Sequence, residues 1–569
     1  MLRNRPCIIN AIKKLNKKTM KRTIIILCAI MATTLSWAQP SAVKKAANAV
    51  FTLTTFDKNG TMKATTRGFF VGADGVAVSS WAPFVGASSA VVVDAKGNKY
   101  DVESLMGANE LYDVCRFRTN CTKANALKLA NNTSAKNVWV VGTAGTKPQA
   151  LKVSKSEMFM NRYAYYIFDA TVADNALGSP VVDDAGAALG ILQFTVNGED
   201  VHSTDVAFLD TIALTGLSIN NPVLSQSGIR VDLPKDKEQA SLMLMMAAEK
   251  SDSTQYAKYV DAFISQFPQA VDGYTASAQT RMAANDYDGV VNVMNTAVKN
   301  VSDKAAAYSE LSRMIYQKVV FNTDTTFTKW TLDDAMSNIA KAIEIDPQPA
   351  YKHREAQIVF SKGDYTKAYD MFMDLTKTNI RSGELFYEAA QCKTQLKAPT
   401  DDVIALLDSA LVACPKPLTN LSAPYVLSRA QLLDGKGQFR LALKDYNLYD
   451  SLMAGRANDA FYYARYQCEM KVKQYQQALN DIAHAAFINP RQPLYLAELA
   501  SLQLRVNRLE DAVKAADLCL TIAPESTDAY VIKGIALIQL KKKEEGMAAL
   551  QKAKELGDSR GEELMKKYK

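Results

Sequence analysis

Asp113, Ser179 and His202 are a carboxylate, a hydroxyl and an imidazole, the three groups that acyl transfer needs if a fold brings them together. A serine hydroxyl is a poor nucleophile at neutral pH until a hydrogen-bonded imidazole takes its proton. The imidazole supply is thin: the chain has three histidines, His202, His353 and His484, and none before residue 202. Ser179 lies in "TVADNALGSPVVDDAGAALG", residues 171–190, where Gly178-Ser179-Pro180 ends a turn before an apolar strand. Other chemistries lack their residues. There is no phosphate-loop signature, no His-Glu-x-x-His and no clustered His/Cys/Asp set, so neither metal nor cofactor is expected. "GTAGTK" at 142–147 is too short to cradle a phosphate and reads as a surface turn. "KKKEE" at 541–545 reads as a solvated helix junction. Beyond residue 38 the cysteines are Cys115, Cys121, Cys392, Cys414, Cys468 and Cys519, with no Cys-x-x-Cys pair. Cys115 and Cys121 could form a local disulfide or remain separate buried thiols.

The elements that must position these residues come in two rhythms. From about 45 to 220, short runs rich in Val, Thr, Phe and Tyr alternate with Asn59-Gly60, Asp74-Gly75, Lys96-Gly97-Asn98, Asp184-Ala185-Gly186 and Asn197-Gly198. Many short strands with such punctuation predict an all-β barrel or sandwich. Residues 221–236, with few periodic apolar positions, read as a linker. From 237 onward the period becomes helical.

The β segment resembles the trypsin-like serine proteases of the HtrA type. Gly68-Phe69, Asp74-Gly75, Lys96-Gly97 and Asp113-Val114 stand where those enzymes have a Gly-Phe strand, an Asp-Gly turn, a Gly-containing hairpin and the catalytic aspartate. Asn175-Ala176-Leu177-Gly178-Ser179-Pro180 matches their nucleophile turn in part. The resemblance implies a double β-barrel over residues 39–220. Carried over residue by residue, the histidine position falls on Ala82, the aspartate on Asp113 and the serine on Leu177. Two of three catalytic roles are unfilled, since Ala82 accepts no proton and Leu177 attacks no carbonyl. His202 follows the nucleophile turn, whereas this family supplies its base before the aspartate. Using Ser179 instead would require the turn to be rebuilt.

The helical part repeats at 34 residues. Pro490 and Pro524 share this spacing, as do Ala478, Ala512 and Gly546, and Ala485, Cys519 and Ala553. That is the tetratricopeptide (TPR) period, in which two antiparallel helices pack through small residues and stack into a superhelical solenoid. About nine such repeats fit residues 237–557, with a capping helix at 558–569. In solenoids of this family the first helix of each repeat lines a concave groove for peptides or proteins. The corresponding positions here are His353, Gln357, Tyr463, Gln467, Ser501 and Arg505.

Charge and targeting complete the reading. Of 67 Lys and Arg, eight fall in residues 1–38, which hold no Asp or Glu, so the remainder balances the 59 acidic residues. A balanced surface gives no reason to expect nucleic acid as a partner. Lys21-Arg22, the apolar run "TIIILCAIMATTLSWA" and Ser36-Trp37-Ala38 read as a signal peptide, with Met20 as the true start. No later run is apolar and long enough to span a bilayer, so the expectation is an exported protein, periplasmic or secreted, of a Gram-negative bacterium. The leading functional expectation is an interaction scaffold: an inactive protease barrel beside a TPR groove that takes peptide or protein partners. The alternative is an active serine endopeptidase that recruits substrate through its repeats.

Overall fold

The computed structural model describes residues 39–130, 137–194, 200–322 and 326–569. The expected signal peptide, residues 1–38, lies outside them.

After a short helix, Ser41–Ala46, twelve strands close into two barrels. The first contains β1 (Val50–Phe56), β2 (Met62–Phe70), β3 (Val76–Ser79), β4 (Ser89–Val93), β5 (Lys99–Asn109) and β6 (Val114–Thr119), in the closed order β1-β2-β3-β6-β5-β4. The second contains β7 (Asn137–Val140), β8 (Gln149–Phe159), β9 (Tyr163–Phe168), β10 (Pro180–Val182), β11 (Ala188–Gln193) and β12 (His202–Asp205), in the order β10-β11-β12-β9-β8-β7. Every pairing between these strands is antiparallel. Local chemistry sets the hairpins. Asp57 Oδ1 accepts the N–H groups of Asn59 and Thr61, and Asp94 Oδ1 accepts those of Lys96 and Asn98, so each turn is wound around one carboxylate. Inside the first barrel, Phe51, Phe70, Phe84 and Phe117 are all but inaccessible to solvent. Their rings meet at centroid distances of 4.8 Å (Phe51 and Phe70) and 5.1 Å (Phe84 and Phe117).

Cys115 and Cys121 are separate buried thiols, not a disulfide. Cys115 lies within β6, and Cys121 follows the strand's end.

Residues 221–236 join strands to helices, but they are packed rather than loose. Leu105 donates its N–H to Arg230 and accepts from Asp232, laying Val231 parallel along β5. Leu224, Ile229, Val231 and Leu233 share one apolar cluster with Phe51 and Phe117 of the barrel and with Met243, Tyr259, Val260 and Phe263 of the first helices. The barrels and the helices Lys237–Lys250, Ser253–Gln266 and Val271–Ala283 accordingly belong to one compact unit that extends to residue 289 and includes 300–302.

The second unit comprises residues 290–299 and 303–569 and is a long run of consecutive helices. Ala478, Ala485, Ala512, Cys519 and Ala553, the small residues at 34-residue spacing, are fully buried. Gly534 and Gly546 show why small residues are required there. A Cβ at Gly546 would stand 2.7 Å from the Gly534 carbonyl oxygen, so these helices touch through their backbones. Two internal ion pairs recur with one geometry. Arg429 grips Asp445 with two hydrogen bonds of 2.7 Å, and Arg465 grips Asp481 with bonds of 2.6 and 2.9 Å. Each joins a helix to the next in the chain. The chain ends in the helix Ser559–Lys567, where the segment 558–569 was expected to cap the array.

Candidate functional site

β3 ends at Ser79 and passes through Ser80 and buried Trp81 into a 3-10 turn, Ala82–Phe84. The turn presents the Ala82 methyl to solvent. Opposite it, Asp113 occupies the turn between β5 and β6 with φ of +43°, in the left-handed region. Asp113 Oδ1 accepts the N–H of Ala82 at 2.7 Å. Ala82 and Asp113, onto which the sequence reading carried the histidine and aspartate positions, are thus side by side, with a backbone amide against the carboxylate. Burial pushes the Asp113 carboxyl above the usual range, opposed by the amides of Ala82 and Trp81, the Ser80 hydroxyl and the charge of His202.

The second barrel supplies the other wall. Residues 174–176 form a 3-10 turn, followed by half-buried Leu177 and by Gly178 at φ +77°. The Leu177 carbonyl accepts the Thr66 hydroxyl at 2.9 Å and the Arg67 N–H at 3.1 Å, both from β2 of the first barrel. Gly178 presses on the same strand, and a Cβ there would lie 2.1 Å from the Arg67 carbonyl oxygen. Ser179 comes next and is fully buried. Its hydroxyl faces Arg67 Nη1 at 3.5 Å, the outer limit of a hydrogen bond. His202 stands on β12, with Nδ1 2.6 Å from the Asp200 carbonyl and its ring 5.0 Å from that of Tyr165. Leu177, onto which the sequence reading carried the nucleophile position, brings apolar bulk and no hydroxyl to the turn. The one serine in the turn lies below the surface against a guanidinium.

Gln193 is a residue that sequence reasoning missed. Its amide nitrogen donates to the carbonyls of Tyr112 and Asp113 at 2.7 and 2.8 Å, and its oxygen accepts from Thr204 at 2.9 Å. The second barrel thereby fixes the turn that carries Asp113. A single Gln on an apolar strand gives no signal of a contact 80 residues away.

In the helical unit, the six predicted groove residues form neighbouring pairs rather than one cluster. His353 Nε2 meets Glu388 Oε2 at 2.5 Å, and Gln357 donates to Glu388 Oε1 at 2.7 Å. Glu388, two helices further along in Gly383–Gln395, holds both. Ligand atoms of His353, Glu384 and Glu388 lie within 4.8 Å of one another, a separation that a divalent cation could bridge. The sequence hid this set because His353 is distant from Glu384-x-x-x-Glu388 along the chain. Tyr463 packs its ring 5.8 Å from Tyr466 and 5.1 Å from Tyr495, one helical turn from exposed Gln467. Ser501 and exposed Arg505 share the helix Pro493–Arg505, with the Arg505 guanidinium 6.0 Å from the Tyr475 ring. No protein-family model matches the chain.

Proposed function

We propose that this protein is an exported interaction scaffold, in which a trypsin-like barrel pair without protease chemistry is joined to TPR-type repeats that bind peptide or protein partners. The reading is supported by one observation: Ser179, the one serine of the turn, is wholly buried beside Arg67, next to Leu177, the residue to which the resemblance gives the nucleophile position. The exposed Ala82 methyl beside Asp113 adds to it, because that position offers the carboxylate no imidazole to orient. Binding a chain and cutting it use different groups, so a cleft of this kind keeps a role in recognition. The 34-residue spacing of fully buried small residues supports the repeat assignment.

The test is active-site labelling with a fluorophosphonate probe. The purified protein stays unlabelled, whereas Ala82→His combined with Leu177→Ser, which restores both missing groups beside Asp113, gives a labelled species. Labelling of the unmodified protein that Ser179→Ala abolishes overturns the reading. A pull-down from envelope extract, comparing the full chain with residues 303–569, then assigns partners to one unit.

A further inference from the structure

Among the described residues, one set of three metal-ligating side chains comes together: His353 on the helix Pro349–Ser361, and Glu384 and Glu388 one turn apart on Gly383–Gln395. The helix between these two, Tyr365–Leu375, packs against both, and its buried Phe372 meets the imidazole edge to face with ring centres 5.9 Å apart. Glu388 is fixed from behind. Its Oε1 accepts Gln357 Nε2 at 2.7 Å, and Gln357 Oε1 in turn accepts Arg354 Nη1 at 2.7 Å. Arg354 is engaged there and over the Tyr316 ring, 5.6 Å from its centre. Glu388 Oε2 is left turned to His353 Nε2 at 2.5 Å. Outer hydrogen bonds of this kind orient the ligands of a metal ion.

An internal salt bridge accounts for only part of this arrangement. His353, even when protonated, balances one carboxylate, and two stand beside it. Among the described residues, the ion pair with His353 is the only one that Glu384 or Glu388 makes. The unbalanced field reaches Tyr425, whose phenol is pushed up to about 12 by burial and then by Glu384, Cys414 and Glu388. A divalent cation supplies the missing positive charge. The donors select its class: one imidazole nitrogen with two carboxylate oxygens suits Zn²⁺, whereas Mg²⁺ and Ca²⁺ take oxygen ligands. Zn²⁺ holds its ligands at about 2.0–2.2 Å, which spaces neighbouring ligand atoms by roughly 3.3 Å. The three ligand atoms here already lie within 4.8 Å of one another, so small side-chain rotations complete the set, and the ion takes the place of the proton between His353 and Glu388. Glu384 is exposed, and His353 and Glu388 keep 19% and 18% of their side chains accessible, so an ion can enter from solvent. We propose that His353, Glu384 and Glu388 form a zinc site that ties Pro349–Ser361 to Gly383–Gln395, with its fourth position open to water.

Titration calorimetry of the metal-stripped full chain with zinc chloride tests this. One Zn²⁺ binds per chain at micromolar concentration, and Mg²⁺ does not compete at millimolar concentration. Because the ion joins two helices of the folded state, it also raises the thermal transition. Glu384→Gln removes an exposed charge at constant size, and His353→Gln keeps an amide donor toward Glu388. Each weakens Zn²⁺ binding at least about tenfold. Co²⁺ in place of Zn²⁺ gives a visible d–d absorption that both variants lose. Should His353→Gln unfold, judged by circular dichroism, Glu384→Gln decides alone. No zinc bound at micromolar concentration, a zinc affinity that Glu384→Gln leaves unaltered, as metal held elsewhere on the chain would show, or displacement by Mg²⁺ overturns the proposal.

Discussion

Glu469 is 4% exposed, and its Oε2 has no hydrogen-bond partner. Burial pushes its carboxyl up to about 8; Asp481 adds to the shift and Arg465 opposes it. In the unfolded chain the same group titrates near about 4.3. Since the folded value is raised, the folded state binds the extra proton between these two values. The stability contribution is complete below about 4.3 and is lost as pH rises through about 8. Urea midpoints of the helical unit should therefore fall across that window. Glu469→Gln, which stays neutral, should flatten the slope and gain about 1 kcal/mol or more at pH 8. A variant with the slope of the unmodified protein contradicts this account. Nothing in "YQCEMK" marks Glu469 as buried, because the neighbours that desolvate it arrive with the next helix. The turn around Leu177 was legible by contrast, since Gly178 and Pro180 mark it in the sequence.

Turns between strands carry the cleft, and the tightest is the one through Gly178. Two independent requirements meet there: a φ of +77°, and a Cβ position 2.1 Å from the Arg67 carbonyl oxygen. Gly97 has a similar φ of +87° but open space around it. Gly178→Ala must strain the backbone and push the barrels' contact apart, whereas Gly97→Ala meets only the first cost. The expectation is a loss of at least about 2 kcal/mol for Gly178→Ala and about 1 kcal/mol for Gly97→Ala, read from urea unfolding of residues 39–302. Equal losses refute the close packing of the turn on β2. The double barrel was legible because strand runs and turn residues are local signals. The Gln193 clamp on the Asp113 turn and the Glu388 bridge between His353 and Gln357 were not. Both depend on side chains that meet only after the elements pack.

At the scale of the whole chain, the change of sequence period at 237 and the edge of the first compact unit at 289 do not coincide. A change from period two to period 3.6 marks where strands give way to helices, but core membership follows apolar contact. Tyr259, Val260 and Phe263 are helical and at most 3% exposed, and they complete a cluster that includes Phe51 and Phe117. The Tyr259 hydroxyl also accepts the N–H of Val231, tying the helix to the strap. A protein cut after residue 236 leaves Ile229, Val231 and Leu233 without that cover. Each large apolar side chain so exposed forfeits about 1.5–3 kcal/mol. Residues 39–302 should melt in one cooperative transition, whereas residues 39–236 should aggregate or melt at least about 10 °C lower. Scanning calorimetry with light scattering on the two fragments compares them directly. Matching transitions would mean that the barrels need no helix to complete their core. The cut would then belong at the change of period, and the helices from Lys237 would group with the rest of the helical run. The expected difference instead makes the first helices a structural part of the barrel unit.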